Sequence, residues 1–205
     1  MRRIPYLVIL AFFATIGLSA CWVMLMRSEA ALMRAKGRLK QLHLAVANYE
    51  SKHNCPFSML KNGHGQATIN WFVTLLPEFE FNDQIPFDPT KNWNDRDNQA
   101  ALAAGQNAWN WFCGDGYLPA VLNAEKSVWR NQELEGTKLH DCRPDDILFV
   151  ATQGRYHHPA EPNTIDTDSI VEALRSGGRA VFVDAEGKLG EIRLAANTLT
   201  FVRDE

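Results

Sequence analysis

The chain has 205 residues, 46% hydrophobic and 22% charged, a composition that excludes a disordered, collagen-like or purely coiled-coil protein and is too polar for a polytopic membrane protein. Its net charge of −3 is uneven: residues 1–40 hold seven of the 21 Lys+Arg and one of the 24 Asp+Glu, net +6, which leaves −9 on residues 41–205. A basic, apolar front is joined to an acidic body, which disfavours nucleic acid as a partner.

Ile4–Met26 contains no charged residue. As a helix this run reaches about 34 Å at ~1.5 Å per residue, enough for a hydrocarbon core of ~30 Å. Arg2 and Arg3 precede it, Arg27 closes it, and Tyr6 and Trp22 lie near its ends, where aromatics favour the interface. A single transmembrane anchor in contact with lipid is expected over residues 1–27. Leu18-Ser19-Ala20-Cys21 has the form of a lipoprotein signal, but the apolar run continues past Cys21, and a cleaved signal peptide has a shorter core and a polar exit. Arg27, Arg34, Lys36, Arg38 and Lys40 outnumber Arg2 and Arg3, which by the positive-inside rule places the body in the cytoplasm; a long domain also translocates regardless of flanking charge.

After the run, Leu32, Ala35, Leu39, Leu42, Val46 and Tyr49 recur at helical spacing, and nothing between Met26 and Ser28 breaks the helix. One helix is expected from the bilayer to Lys52, closed by His53, Asn54 and Pro56. Its segment 28–52 is the spine of the domain 28–205. The stripe Leu39, Leu42, Val46 and Tyr49 is its expected interaction face, turned to the acidic body, and the basic residues at 34–40 are placed to touch lipid phosphates.

In the body, residues 57–70 read as a loop around Gly63-His64-Gly65, Ile69–Leu76 as a strand, residues 82–98 as a loop, Gln99–Trp109 as a short helix and residues 110–130 as irregular. Asp146–Thr152 reads as a strand, Gly154–Thr167 as a loop and Ser169–Arg175 as a helical turn or two. Arg179–Asp184 and Lys188–Leu194 form a hairpin around Ala185-Glu186-Gly187. The fold class is α+β, an antiparallel sheet packed on the long helix.

Chemical candidates are few. The six histidines, His43, His53, His64, His140, His157 and His158, show no HxH or HExxH spacing. Asp88, Thr90, Asn92, Asn94, Asp95 and Asp97 offer closely spaced oxygen ligands for Ca²⁺, without the glycine and closing Glu of an EF-hand; turn chemistry competes with metal, and no cofactor is expected. There is no G-x-S-x-G elbow and no local signature of a catalytic Cys around Cys55. Cys113 and Cys142 are open to a disulfide or to free thiols. Trp71, Trp93, Trp109, Trp111 and Trp129 serve as core or as a stacking platform for sugar.

Three segments carry a resemblance. Arg34–Glu50 with the following HNCPF resembles the "LKQLGLALHNYH" start of the planctomycete DUF1559 family of pseudopilin-like proteins. Asn70-Trp71 through Pro77 and on to Phe87-Asp88, Trp93, Asn94 and Asn98 is similar to its next block. Asp145-Asp146-Ile147 and Gly177–Asp184 with Gly187 resemble its C-terminal elements. The resemblance implies a pilin-like fold, a single-pass protein of the cytoplasmic membrane with an extracytoplasmic body, and envelope protein partners. One departure matters: the nearest glycine is Gly17, inside the apolar run, and Trp22 stands where a prepilin peptidase site has Glu. Processing and filament assembly are therefore not expected. The function expected is non-enzymatic envelope assembly or interaction, and the alternative is an anchored module binding a glycan, a peptide or calcium.

Overall fold

The computed structural model describes residues 4–54, 72, 75, 78–79, 88, 91, 95–104, 110–124, 127–128, 138–153 and 164–204. Helix α1 runs without interruption over Ile4–His53, as the lack of a breaker after Met26 requires. Asn54 then takes a left-handed φ of 49°, a common way to end a helix, and Pro56 bars its continuation. The remaining elements are α2 (Arg96–Ala104), β1 (Tyr117–Asn123), β2 (Ile147–Gln153), β3 (Thr164–Asp166), α3 (Thr167–Arg175), β4 (Ala180–Asp184), β5 (Leu189–Ala195) and β6 (Thr198–Arg203). Two compact units are present, Met1–Arg34 and Ala35–Glu205, so the division falls about two helical turns beyond the end of the apolar run.

The six strands form one sheet in the order β3-β1-β2-β4-β5-β6. All neighbours are antiparallel except β1 and β3, which run parallel. The sheet is therefore mixed rather than wholly antiparallel: β3 lies on the outer side of β1 instead of beside its predecessor β2.

Alternation along the strands assigns the two faces. Ala180 and Phe182 of β4 and Ile192 of β5 join Leu122, Ile147 and Val150 around Ile170 of α3, with Leu174, Leu199 and Phe201 packed at the margin. Their neighbours Val181, Val183 and Glu191 turn the other way, and Glu191 there meets Lys36 of α1. Helix α3 thus covers one face, and the Ala35–His53 part of α1 covers the other. This explains why β4 is buried at every position and β2 at all but its last: strands covered on both sides read as continuous apolar runs.

Local chemistry positions α3. Asp166 caps it by accepting from the Ser169 amide at 2.7 Å; the Ser169 side chain first, and this amide second, hold the Asp166 carboxyl below its ordinary range. At the other end Gly178 N–H donates to Ala173 and Gly177 N–H to Leu174, with Gly177 at φ 84°; this is the paired arrangement of a glycine-terminated helix.

Several expectations are corrected. Strand β1 replaces part of the expected irregular region 110–130. Its sequence hides it, because Pro119 lacks a backbone donor and argues against a central strand. Among the described residues, β3 pairs with Val121–Asn123, and Pro119 lies opposite Ala151 of β2. Phe72 and Leu75, within the expected strand Ile69–Leu76, are helical and buried; Phe72 packs with Phe79 and Phe112 at centroid distances of 5.9 and 5.1 Å. The rest of that stretch and the loop at Gly63-His64-Gly65 lie outside the described residues. The expected helix Gln99–Trp109 begins earlier, at Arg96. The hairpin of β4 and β5 is as expected, but β6 extends it through a two-residue turn at Ala196-Asn197.

Both turn residues have positive φ, 48° and 65°, the requirement of a type I′ turn. Ala196 is poorly suited to it. Replacing Ala196-Asn197 by Asn-Gly is expected to stabilise the chain by about 1 kcal/mol. Thermal unfolding of the detergent-solubilised full chain by circular dichroism measures it; an unchanged or lower midpoint contradicts the turn assignment.

Candidate functional site

Within the first unit, the described side chains of the apolar run from Leu10 to Met26 present a mostly hydrocarbon surface. Leu10 is 70% exposed, Leu18 72% and Trp22 62%, and Phe12, Phe13, Ile16, Val23, Met24, Leu25 and Met26 are exposed as well. Its two described hydroxyls are closed against the helix itself: Thr15 Oγ1 donates to the Phe12 carbonyl and Ser19 Oγ to the Thr15 carbonyl, each at 2.8 Å. A helix with apolar side chains all round and its hydroxyls returned to backbone carbonyls meets the hydrogen-bonding demand of a bilayer. It is also long and apolar enough to cross one.

From Ala35 onward the same helix becomes one-sided. Ala35, Leu39, Leu42, Ala45 and Val46 are fully buried and Tyr49 is half-buried. Burial of each large aliphatic side chain contributes roughly 1.5–3 kcal/mol. The stripe turned to the acidic body is buried in the chain's own core.

The basic residues of this segment are also drawn inward. Lys36, only 5% exposed, donates to Asp204 Oδ1 at 2.8 Å and Glu191 Oε1 at 3.1 Å. Burial works against its charge, but these two carboxylates outweigh it and hold the ammonium above the ordinary lysine range. Arg38 donates to the Gly114 carbonyl at 2.6 Å and to Asp115 at 3.0 Å and lies 5.6 Å from the Trp111 ring centroid. Lys40 donates to the Gly187 carbonyl at 2.7 Å. All three thus contact the body. Further along, Glu50 accepts from the Leu139 amide at 3.0 Å, and Lys52 pairs with Glu78 at 3.3 Å.

The joint is tightest at the β4–β5 turn. Asp184, fully buried, closes it: Oδ1 accepts from Lys188 N–H at 2.8 Å and Oδ2 pairs with Arg203 at 2.7 Å. The turn also ties back to β2, since Ala185 N–H donates to the Asp146 carbonyl. Gly187 sits at φ 78° directly against α1, where a Cβ would come within 2.7 Å of Lys40 Nζ and His43 Cε1; only glycine fits. His43 Nε2 donates to the Ala185 carbonyl at 3.1 Å, and its Nδ1 is buried with no hydrogen-bond partner. Burial first, then Lys40, pushes the His43 imidazole below its ordinary range, against the opposing pull of the Ala185 carbonyl, Asp184 and Glu50. Alternating apolar residues predict the hairpin; nothing in its sequence marks Lys40 and His43 as its seat.

The calcium loop has a different organisation. Lys91 pairs with Asp97 and, at 3.9 Å, with Asp88, so a side-chain cation already lies between two of the candidate ligands. Asn98, fully buried, closes the loop by accepting from Asp88 N–H and donating to the Asp88 carbonyl. Asp95 caps α2 through the Asp97 amide. Thr90, Asn92 and Asn94 lie outside the described residues, as do Cys55, His64, His157, His158, Trp71, Trp93, Trp109 and Trp129. Cys113 and Cys142 are not joined in a disulfide, and Cys142 Sγ donates to the Lys138 carbonyl; burial pushes Cys113 up to about 12 despite Arg38 nearby, which makes it a poor nucleophile at neutral pH.

A family model described as "Protein of unknown function (DUF1559)" matches residues 26–179, from the last turn of the apolar run to the residue before β4. No curated protein and no solved structure matches the chain.

Two outcomes follow from the joint. Lys36→Ala leaves Glu191 and Asp204 without their shared cation and is expected to lower the unfolding free energy of the solubilised full chain by about 1–3 kcal/mol in urea. Because folding depresses the His43 pKa, the unfolded chain binds more protons near pH 6.5, so this contribution is complete above that pH and is lost as pH falls below it. The urea midpoint is expected to drop between pH 7.5 and 5.5, and His43→Gln to flatten that drop; an equal drop in both chains excludes His43 as its source.

Proposed function

The chain belongs to the DUF1559 family, and on that premise we propose that it is a non-enzymatic, single-pass protein of the cytoplasmic membrane whose extracytoplasmic body acts by protein–protein interaction in the cell envelope. The observation that carries this reading is the first part of α1, with its exposed apolar side chains and internally closed hydroxyls. A long N-terminal helix with a sheet against its second half is compatible with a pilin-like plan, and Trp22 in place of the peptidase-site Glu favours a permanent anchor over a processed filament subunit.

A non-catalytic body is supported by how its buried polar groups are used. Lys36 pairs with two carboxylates, Asn98 closes the 88–98 loop, Ser127 donates to the Ile147 carbonyl, and Asp146 and Asp184 close turns. Each serves the fold. The inward pairing of Lys36, Arg38 and Lys40 further supports an outward body, because in the folded chain these residues are a joint between helix and body.

Fractionation tests the reading. The full chain is expected to sediment with membranes and resist alkaline carbonate, and added protease is expected to digest the body in intact spheroplasts. Phe13→Arg with Ile16→Arg, each costing roughly 2.5–3.5 kcal/mol at the centre of a span, is expected to move the chain into the soluble fraction. Protection of the body in intact spheroplasts sinks the orientation; carbonate extraction of the parent chain sinks the anchor.

A further inference from the structure

The β4–β5 turn is fastened to the body and to α1 by separate sets of bonds. Within the body, Asp184 Oδ1 accepts from the Lys188 amide, Gly187 N–H donates to the Asp184 carbonyl, and Ala185 N–H donates to the Asp146 carbonyl. From α1, Lys40 Nζ donates to the Gly187 carbonyl at 2.7 Å, and His43 Nε2 lies 3.1 Å from the Ala185 carbonyl. A carbonyl can only accept, so Nε2 carries the proton, and in the neutral ring Nδ1 carries a lone pair. That nitrogen is buried with no hydrogen-bond partner. A Cβ at Gly187 would come within 2.9 Å of it and within 2.7 Å of Cε1, so no water fits between the ring and the turn.

We infer that His43 is an acid-sensitive latch: a proton on Nδ1 releases the β4–β5 turn from α1 and leaves both the sheet and the helix folded. The added N–H would lie against Gly187 with no acceptor to meet it, and a buried, unpaired donor that also carries charge is costly. The groups around the ring do not compensate. On α1, Lys40 adds a second cation beside it, and both oxygens of Glu50 accept from the Leu139 amide. From β4, Asp184 meets Lys188 N–H with one oxygen and Arg203 with the other. In the turn, Glu186 and Lys188 are exposed and pair with each other. Ahead of β2, the Asp146 carboxylate accepts from the Arg143 amide. Burial first, and Lys40 after it, accordingly outweigh the pull of the Ala185 carbonyl, Asp184 and Glu50 on the ring.

The release is local for a structural reason. The bonds that shape the turn run within the body and survive its separation from α1. Helix α1 stays seated through the buried Leu39, Leu42 and Val46 and through Lys36 with its two carboxylates. The closed arrangement holds the imidazole below its ordinary range. It is therefore complete above that range and loses ground as pH falls below it, by up to about tenfold per pH unit. The latch does not depend on anchoring or orientation; in an extracytoplasmic body it answers to the acidity of the envelope.

Pulsed electron spin resonance on the detergent-solubilised full chain tests it. Nitroxide labels are placed on Glu186→Cys in the turn and on Asn48→Cys on the exposed side of α1, with Cys21, Cys55, Cys113 and Cys142 replaced by alanine. One distance is expected at pH 7.5. A second, longer component is expected at pH 5.0 and is lost again when pH is restored, with the circular dichroism spectrum unchanged throughout. His43→Gln keeps a donor near the position of Nε2 but takes up no proton, so it is expected to hold the pH 7.5 distance at both pH values. Should that variant not fold, magnetic-resonance titration of His43 in the parent chain takes its place: the midpoint is expected below about 6.5 and in step with the distance change. An unchanged distance at pH 5.0, an equal change in the folded His43→Gln chain, a distance change out of step with the His43 titration, or loss of the circular dichroism signal at pH 5.0 overturns the latch.

Discussion

The central strands of the body carry apolar side chains on both faces, and that demand organises the domain. β4 is buried from Ala180 to Asp184, and β2 from Ile147 to Thr152. A sheet of this kind cannot leave either face to water. One face is covered by α3 through Ile170 and Leu174. The other requires a longer cover, and the second part of α1 supplies it with Ala35, Leu39, Leu42, Ala45 and Val46. Removing the long helix would expose one face of the core, so the helix that carries the apolar run is also part of the fold.

That double use gives α1 two physical regimes. From Leu10 to Met26 it exposes large apolar side chains and returns the Thr15 and Ser19 hydroxyls to its own carbonyls. Beyond Ala35 it buries one stripe and turns Lys36, Arg38 and Lys40 toward carboxylates and carbonyls of the body. The β4–β5 turn is where this fit is closest: Asp184 shapes the turn, Gly187 lets it approach, and His43 sits beneath it. Two of the segments that resemble the DUF1559 pattern, the basic helix and the Asp-Gly hairpin, are thus two sides of one contact.

Legibility followed the strength of the local signal. The long helix, β2, and the β4–β5 hairpin were readable because a charge-free run, a helical stripe and two apolar runs around a glycine turn each have one simple solution. β1 was obscured by Pro119, which lacks a backbone donor and argues against a strand in the sequence alone. β6 was obscured by the Ala196-Asn197 turn, whose positive φ angles are unusual for alanine. For the site, the apolar run was plain, whereas the pairing of Lys91 with Asp88 and Asp97 was not. Spacing of acidic residues cannot show which cation they already hold.

By itself the sequence determined the membrane-length helix, its amphipathic continuation, the α+β class and the hairpin, because all of these depend on side-chain period and on residues near one another in the chain. Only the tertiary structure decided that the basic residues after the apolar run are a joint with the body, that the sheet is mixed and covered on both faces, and that β6 is its last strand. Those features depend on pairings across 75 to 170 residues of chain, such as Arg38 with Gly114 and Lys36 with Asp204, and no local pattern encodes which distant carbonyl or carboxylate a lysine will meet.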